Sequence, residues 1–358
     1  MALKYRPGLA DRPSYEMDEN PYQITLNANE STLNMPPMVE DRLMGRFASV
    51  AFNRYPGVTD YMNLIEQIAK NFNVGTNQVL LGNGSSEIIE KVFYCFGNAK
   101  TSKIVYPQPS FSMYGIYAAA AEAQGIPVDL EDDYTFDAEK FVKTVVDNKA
   151  ALAVVCNPNN PTGTGIPLSD IQYIADNIPM STVFLVDEAY IEFYGQSAMG
   201  LLKDYPNMII ARTFSKAYGL ASCRVGYAIA SPEITDMIGK SFMPYHMNTL
   251  SLVTADVVYQ MRSEYVPRIQ MTIAERKRVY EDLKKVNGLT VYPSETNFVL
   301  FRTEKAEALT KAFEAASIGV RHFGSAPRLE NCLRISMGTR EENDTWLKVL
   351  KDFMGGQS

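Results

Sequence analysis

The chain has 358 residues, 46% apolar and 21% charged, with a formal net charge of −7, the profile of a folded protein able to bury a sizeable core. The negative balance argues against wholesale attraction to nucleic acid or to an anionic membrane surface, both of which present negative fields. The longest apolar runs, AALAVVC and TVFLV, are too short to span a bilayer, and MALKYRPGLADRP lacks an apolar signal core, so a cytoplasmic location is expected.

From residue 60 to 230 helix-like segments alternate with short β-branched runs, the pattern of a mostly parallel sheet covered by helices. YMNLIEQIAKNF (61–72) spaces its apolar residues by three and four and predicts a helix. SKIVYP, ALAVVCNP, TVFLVDEAY, NMIIART and RVGYAIAS predict buried strands, each ending in polar residues or glycine. A long helical stretch over 252–285, interrupted by Pro267, leads into a smaller α+β unit. Its strands are LTVYPS, NFVLFR, GVRHF and CLRISMG, and its helices KAEALTKAFEAAS and ENDTWLKVLKDFM. The expected fold is therefore α/β, a large domain with a mostly parallel sheet plus a smaller α+β domain. Residues 1–40 are expected to form an N-terminal arm and part of the small domain, 41–251 the large domain and 252–358 the small C-terminal domain.

In open α/β sheets ligands gather at the carboxyl ends of the strands. At the first such end, LLGNGSSEII (80–89) brings glycines and two serines to a helix start, where unpaired N–H groups favour a phosphate; Ser85 or Ser86 equally reads as a plain helix cap. CNPNNPTGT (156–164) follows a strand and holds Asn160 rigidly before Pro161, although it also reads as a simple turn. FLVDEAYIEF puts Asp187 at the end of a strand too apolar for a lone charge, which requires a cation or several donors. Tyr190, three residues on, is placed to share that pocket.

Lys216 lies in ARTFSKAYGLASCRVGY (211–227), preceded by Thr213 and Ser215, whose hydroxyls suit an anion, and followed by Arg224 with its permanent charge. The small apolar residues after it suggest a desolvated amine that loses its proton and attacks a carbonyl. Four scattered cysteines, Cys95, Cys156, Cys223 and Cys332, form no CxxC pair and predict no metal site. With His246 and His322 the only histidines, a Ser-His-Asp triad is poorly supported. An aldehyde-reactive lysine, a buried aspartate, phosphate-binding hydroxyls with an arginine, and an asparagine and tyrosine for a phenolic oxygen together describe a pocket for pyridoxal 5′-phosphate.

The order YPG, NGSSE, NPNNPTG, DEAY, SFSK, R.GY and LRIS.GT, spread over nearly the whole chain, resembles the fold-type I pyridoxal-phosphate-dependent aminotransferases (class I/II), in detail those acting on histidinol phosphate. The resemblance implies that Lys216 bonds to the cofactor aldehyde and later moves a proton, that Asp187 pairs with the ring nitrogen, and that Asn160 and Tyr190 bind the ring 3-oxygen. Gly84, Ser85, Thr213, Ser215 and Arg224 are implied to hold the phosphate, with Phe111 stacking on the ring where family members often carry tyrosine. Tyr55 resembles the tyrosine that reaches the neighbouring subunit's cofactor, which implies a homodimer with shared active sites. Arg334 is implied to clamp the substrate carboxylate or phosphate, with Tyr22, Asn29 and Arg321 close by. GLASCR departs from the family's more usual Gly-Leu before the arginine; Ser222 and Cys223 are small enough to be tolerated within what reads as helix. The implied reaction transfers an amino group from histidinol phosphate to 2-oxoglutarate, giving imidazole-acetol phosphate and glutamate. An aromatic or broad-specificity aminotransferase, a threonine-phosphate decarboxylase and a non-catalytic cofactor-binding regulator share the pocket motifs and stay open.

Overall fold

A computed structural model describes residues 22–97 and 101–355; of the expected N-terminal arm, residues 1–21 lie outside the described residues, as do 356–358 of the small domain. The strands are β1 (Ile24–Thr25), β2 (Val79–Asn83), β3 (Lys103–Gln108), β4 (Gln124–Asp129), β5 (Leu152–Cys156), β6 (Val183–Asp187), β7 (Met208–Thr213), β8 (Val225–Ala230), β9 (Thr290–Val291), β10 (Phe298–Arg302), β11 (Ile318–Gly319), β12 (Arg321–His322) and β13 (Cys332–Ser336). The helices are α1 (Pro37–Phe47), α2 (Val58–Phe72), α3 (Gly84–Phe96), α4 (Met113–Ala120), α5 (Ala138–Asn148), α6 (Leu168–Asn177), α7 (Ile191–Tyr194), α8 (Pro232–Gly239), α9 (Thr249–Gln260), α10 (Val266–Leu283), α11 (Ala306–Ala315) and α12 (Arg340–Gly355).

Seven strands form one sheet in the order β2-β8-β7-β6-β5-β3-β4. Neighbours from β4 through β7 run parallel, and β8 lies antiparallel between β2 and β7. Every position of β5, β6, β7 and β8 is buried, which is why these strands are continuous apolar runs rather than alternating ones. Val154, Leu185 and Ile209 pack under α3 and α4, while their neighbours Val155, Val186 and Ile210 face α5 and α6, so both faces are covered. The strand β4 carries Gly125 and Pro127, which hide it from a β-branched pattern; a proline is tolerated there because β4 is the sheet edge.

The long helical stretch is two helices. α9 ends at Gln260, and Pro267 stands in the first turn of α10, where its missing N–H has no intrahelical partner to lose. α9 packs on α1 and α2 beneath the seven-stranded sheet, whereas α10 reaches α12. A four-stranded antiparallel sheet, β12-β13-β10-β9, is backed by α11 and α12 around Trp346 and Phe313. GVRHF divides into β11 and β12, and β11 takes β1 as a parallel partner, which draws residues 24–29 alongside this smaller unit.

Candidate active site

The parallel strands β3, β5, β6 and β7 end together, and the register sets Cys156 beside Asp187 and Asp187 beside Ala211. Asp187 is 3% exposed and has no ion-pair partner among the described residues. Its Oδ2 accepts a hydrogen bond from Tyr114 Oη at 2.8 Å and its Oδ1 one from the Ala189 N–H at 3.2 Å. Burial raises its carboxyl to about 6 even though both donors pull the other way, so the position favours a cation that would hold it ionised.

An anion cup lies beside it. Asn83 precedes α3 without capping it, so the serines are not caps as they first read; Ser85 is buried in the first turn. Gly84 has φ +77°, and a Cβ there would stand 2.6 Å from Arg224 Nη2, so glycine is required on both counts. Arg224 Nη1 donates to Ser215 Oγ at 3.3 Å, and Thr213 Oγ1 donates to the same oxygen at 3.0 Å. Two hydroxyls, a guanidinium and the free amides of a helix start thus converge, the chemistry of a phosphate site.

Lys216 follows that cup, its Nζ donating to the Ala28 carbonyl at 3.1 Å. Burial, with Arg334 and Arg224 adding to it, lowers the amine to about 8. Residues 214–224, read above as running into helix, are turns instead: Gly219 at φ +62° and Arg224 at φ +52° both sit in the left-handed region, which no helix accommodates. Ser222 and Cys223 therefore belong to a turn, and the turn rather than a helix sets Lys216 against Arg224.

Asn160, Tyr190, Asn29 and Arg334 are linked across the units. Arg334 Nη1 donates to Asn160 Oδ1 at 2.5 Å and Nη2 to the Asn27 carbonyl at 2.8 Å. Asn29 donates from Nδ2 to Tyr190 Oη at 3.0 Å, and its buried backbone at φ +55° is pinned by Ser336 Oγ. Lys216 Nζ lies 5.9 Å from the Tyr190 ring centre. Arg321 and Arg334 are direct cross-strand partners, and each guanidinium lies 5.9 Å from the Phe323 ring. Like charges facing across a ladder repel, and an anion between them removes that cost. Tyr22 packs on Gly319, where any Cβ would meet its ring at 2.4 Å. Phe111 meets Tyr114 edge-on. Tyr55 stands apart: it is 77% exposed and stacks on Tyr245, 4.6 Å between ring centres.

Two residues escaped the sequence reading. Tyr114 stands one helical turn beyond Phe111, and a buried phenol in the apolar stretch MYGIYAAA needs a polar partner, which was the available signal. Gly226, in RVGY, lets β8 touch α3: a Cβ there would fall 2.2 Å from the Ser85 amide nitrogen.

Fold and site together define an α/β protein with a desolvated lysine beside an anion cup. The chain belongs to the aminotransferase class I and II family, whose model matches residues 21–350. It is 37% identical to the histidinol-phosphate aminotransferase of Thermoanaerobacter sp. (strain X514), covering 95% of this chain and 96% of that one. It is 34% identical to the enzyme of the same name from Chlorobaculum tepidum, over 92% and 94%. The crystal structure of histidinol-phosphate aminotransferase from Sinorhizobium meliloti in complex with pyridoxal-5′-phosphate superposes with a TM-score of 0.88, at 23% identity over 100% of this chain and 99% of that one. An L-threonine-O-3-phosphate decarboxylase from Porphyromonas gingivalis shares the fold, with a TM-score of 0.80 at 22% identity over 93% and 99%.

Proposed function

We propose that this aminotransferase uses pyridoxal 5′-phosphate to move an amino group from histidinol phosphate to 2-oxoglutarate, yielding imidazole-acetol phosphate and glutamate. The observation that carries the substrate class is the cross-strand pair Arg321 and Arg334, two cations set against one aromatic ring, with Arg334 also acting on Lys216. Such a pair suits a phosphate on one substrate and a carboxylate on the other.

The cofactor fits the residues present. Its phosphate matches the cup of Gly84, Ser85, Thr213, Ser215 and Arg224, and its ring nitrogen, a cation when protonated, matches the buried carboxylate of Asp187. When bound it supplies an aldehyde that carries the amino group and a ring that takes up electron density. Asp187 would hold the proton on the ring nitrogen, Asn160 and Tyr190 would orient the 3-oxygen, and Phe111 would cover one ring face. Lys216, whose amine loses its proton above its lowered value of about 8, would hold the cofactor through the aldehyde and would move a proton at the substrate α-carbon. Arg334, Arg321, Asn29 and Tyr22 position the substrate.

We further infer a division into an arm over 1–40, a large domain over 41–251 and a small one over 252–358, with α9 and α10 as the join, and a cytoplasmic homodimer in which Tyr55 reaches the partner's cofactor phosphate. The exposed Phe52, Tyr55, Val58 and Met243 support the pairing, since one chain leaves them against water. No described helix is long and apolar enough to cross a membrane.

A coupled assay for glutamate release tests the reaction. Histidinol phosphate is expected to be a far better donor than phenylalanine, and Arg321→Ala to raise its KM about tenfold or more while leaving the glutamate half-reaction nearly unchanged. Equal turnover of both donors, or a KM untouched in the variant, overturns the substrate assignment.

A further inference from the structure

Tyr114 has no part in the mechanism above, yet it is the only side chain hydrogen-bonded to Asp187 among the described residues. The tyrosine is fully buried, and its ring is held by three others: stacked on Phe93 at 6.2 Å, edge-on to Phe111 at 5.6 Å and tilted against Tyr106 at 6.3 Å between centres. A ring gripped on three sides fixes where its hydroxyl points. The direction of the bond is also fixed, because an ionised carboxylate only accepts. Burial, with Asp187 beside it, holds the phenol well above its ordinary range, so the hydroxyl keeps its proton and stays a donor. The nearby Cys156 thiol donates to the Pro158 carbonyl rather than to Asp187.

We propose that Tyr114 is the positioning residue for Asp187: its hydroxyl anchors Oδ2 and keeps the carboxylate ionised and aimed, while the same ring braces Phe111. One side chain would thereby set both the group under the ring nitrogen and the aromatic on the ring face. The proposal rests on the reading that Asp187 is the partner of that nitrogen. The titratable groups facing Asp187 are Tyr114 and Tyr117 of α4, Cys156 at the end of β5, and Glu188 and Tyr190 of its own segment. Of these, only Tyr114 gives it a side-chain hydrogen bond, and that bond opposes the effect of burial.

The test uses the apoprotein first. Infrared difference spectra against Asp187→Asn isolate the protonated-carboxyl band of Asp187, and its midpoint is followed with pH in the wild type and in Tyr114→Phe, which keeps the ring. From its value of about 6 the midpoint is expected to rise by about one pH unit in Tyr114→Phe, because a donor to the charged form has been removed. Pyridoxal phosphate affinity, measured by equilibrium dialysis, is the second readout. With the carboxylate ionised above its midpoint, Tyr114→Phe is expected to bind about threefold more weakly at pH about 6.5, the gap closing by about 8.5. Both proteins are referred to Asp187→Asn, so that ionisation of the free cofactor cancels.

An unmoved infrared midpoint in Tyr114→Phe overturns the proposal whatever the cofactor does. If Asp187→Asn binds the cofactor as tightly as the wild type across the pH range, the reading of Asp187 itself is overturned, a separate outcome. A melting temperature for apo Tyr114→Phe close to the wild type's, with the midpoint shifted, supports positioning; a shifted midpoint seen only with collapsed packing overturns it.

Discussion

At the residue scale the site is governed by two groups pushed in opposite directions by one environment. Burial lifts Asp187 and lowers Lys216, each toward its neutral form, because a low-dielectric pocket disfavours either charge. A depressed lysine value means that the neutral amine appears as pH rises through about 8, well below the ordinary lysine range. Capture of pyridoxal phosphate by the apoprotein should therefore accelerate with pH and level off above about 8, as followed by stopped-flow absorbance. Lys216→Ala should capture none covalently at any pH, though the anion cup still binds the phosphate, and should show no turnover. A rate flat from about pH 6 to about 10 would count against the assignment. Most of these residues could be read from the chain, because each breaks a local rule: a charge after an apolar strand, or a lysine among small apolar residues. Tyr114 gives a fainter signal: a phenol in an apolar helix calls for a polar partner, but only the contact with Asp187 says which one.

At the scale of elements, the buried strands declared themselves because parallel sheets covered on both faces demand unbroken apolar runs. β1, two residues long, and β4, with its glycine and proline, carry no such run and owe their places to pairing partners. The turn over 214–224 was concealed for a different reason: Arg224 adopts a left-handed backbone that its side-chain type does not announce. β8 matters most here, since its one antiparallel course brings Gly226 against the first turn of α3 while delivering Arg224 to the same cup. Gly226→Ala forces a methyl group into the Ser85 backbone, where nothing flexible can yield. Overpacking of this kind costs about 1–3 kcal/mol or more. Urea unfolding should show that loss, and phosphate-dependent cofactor affinity should fall with it; a variant as stable and as tight-binding as the parent would refute the close approach.

At the scale of the whole molecule, an apolar surface remains that one chain does not cover. Phe52 is 76%, Val58 80% and Met243 75% exposed, with Tyr55 among them, a density unusual for residues of this size. Sedimentation should find a dimer, and Phe52→Asp should shift it toward monomer and weaken cofactor retention together, because Tyr55 would no longer meet its neighbour. A monomeric wild type, or a monomeric variant with undiminished retention, would argue against shared sites. The family motif in the sequence is what pointed to such a contact, since within one chain Tyr55 is 77% exposed and stacks on Tyr245.

The knot around Asn29 also bears on how the protein is made. Asn27, Ala28 and Asn29 are bonded to Arg334, Lys216, Tyr190 and Ser336, so the lysine pocket joins stretches some 307 positions apart. On the ribosome, the first of these stretches waits exposed for most of translation before its partners emerge. The bonds from Asn27 to Arg334 and from Asn29 to Ser336 can therefore form only after residue 336 has been made, so the walls around Lys216 that residues 27–29 supply are completed last.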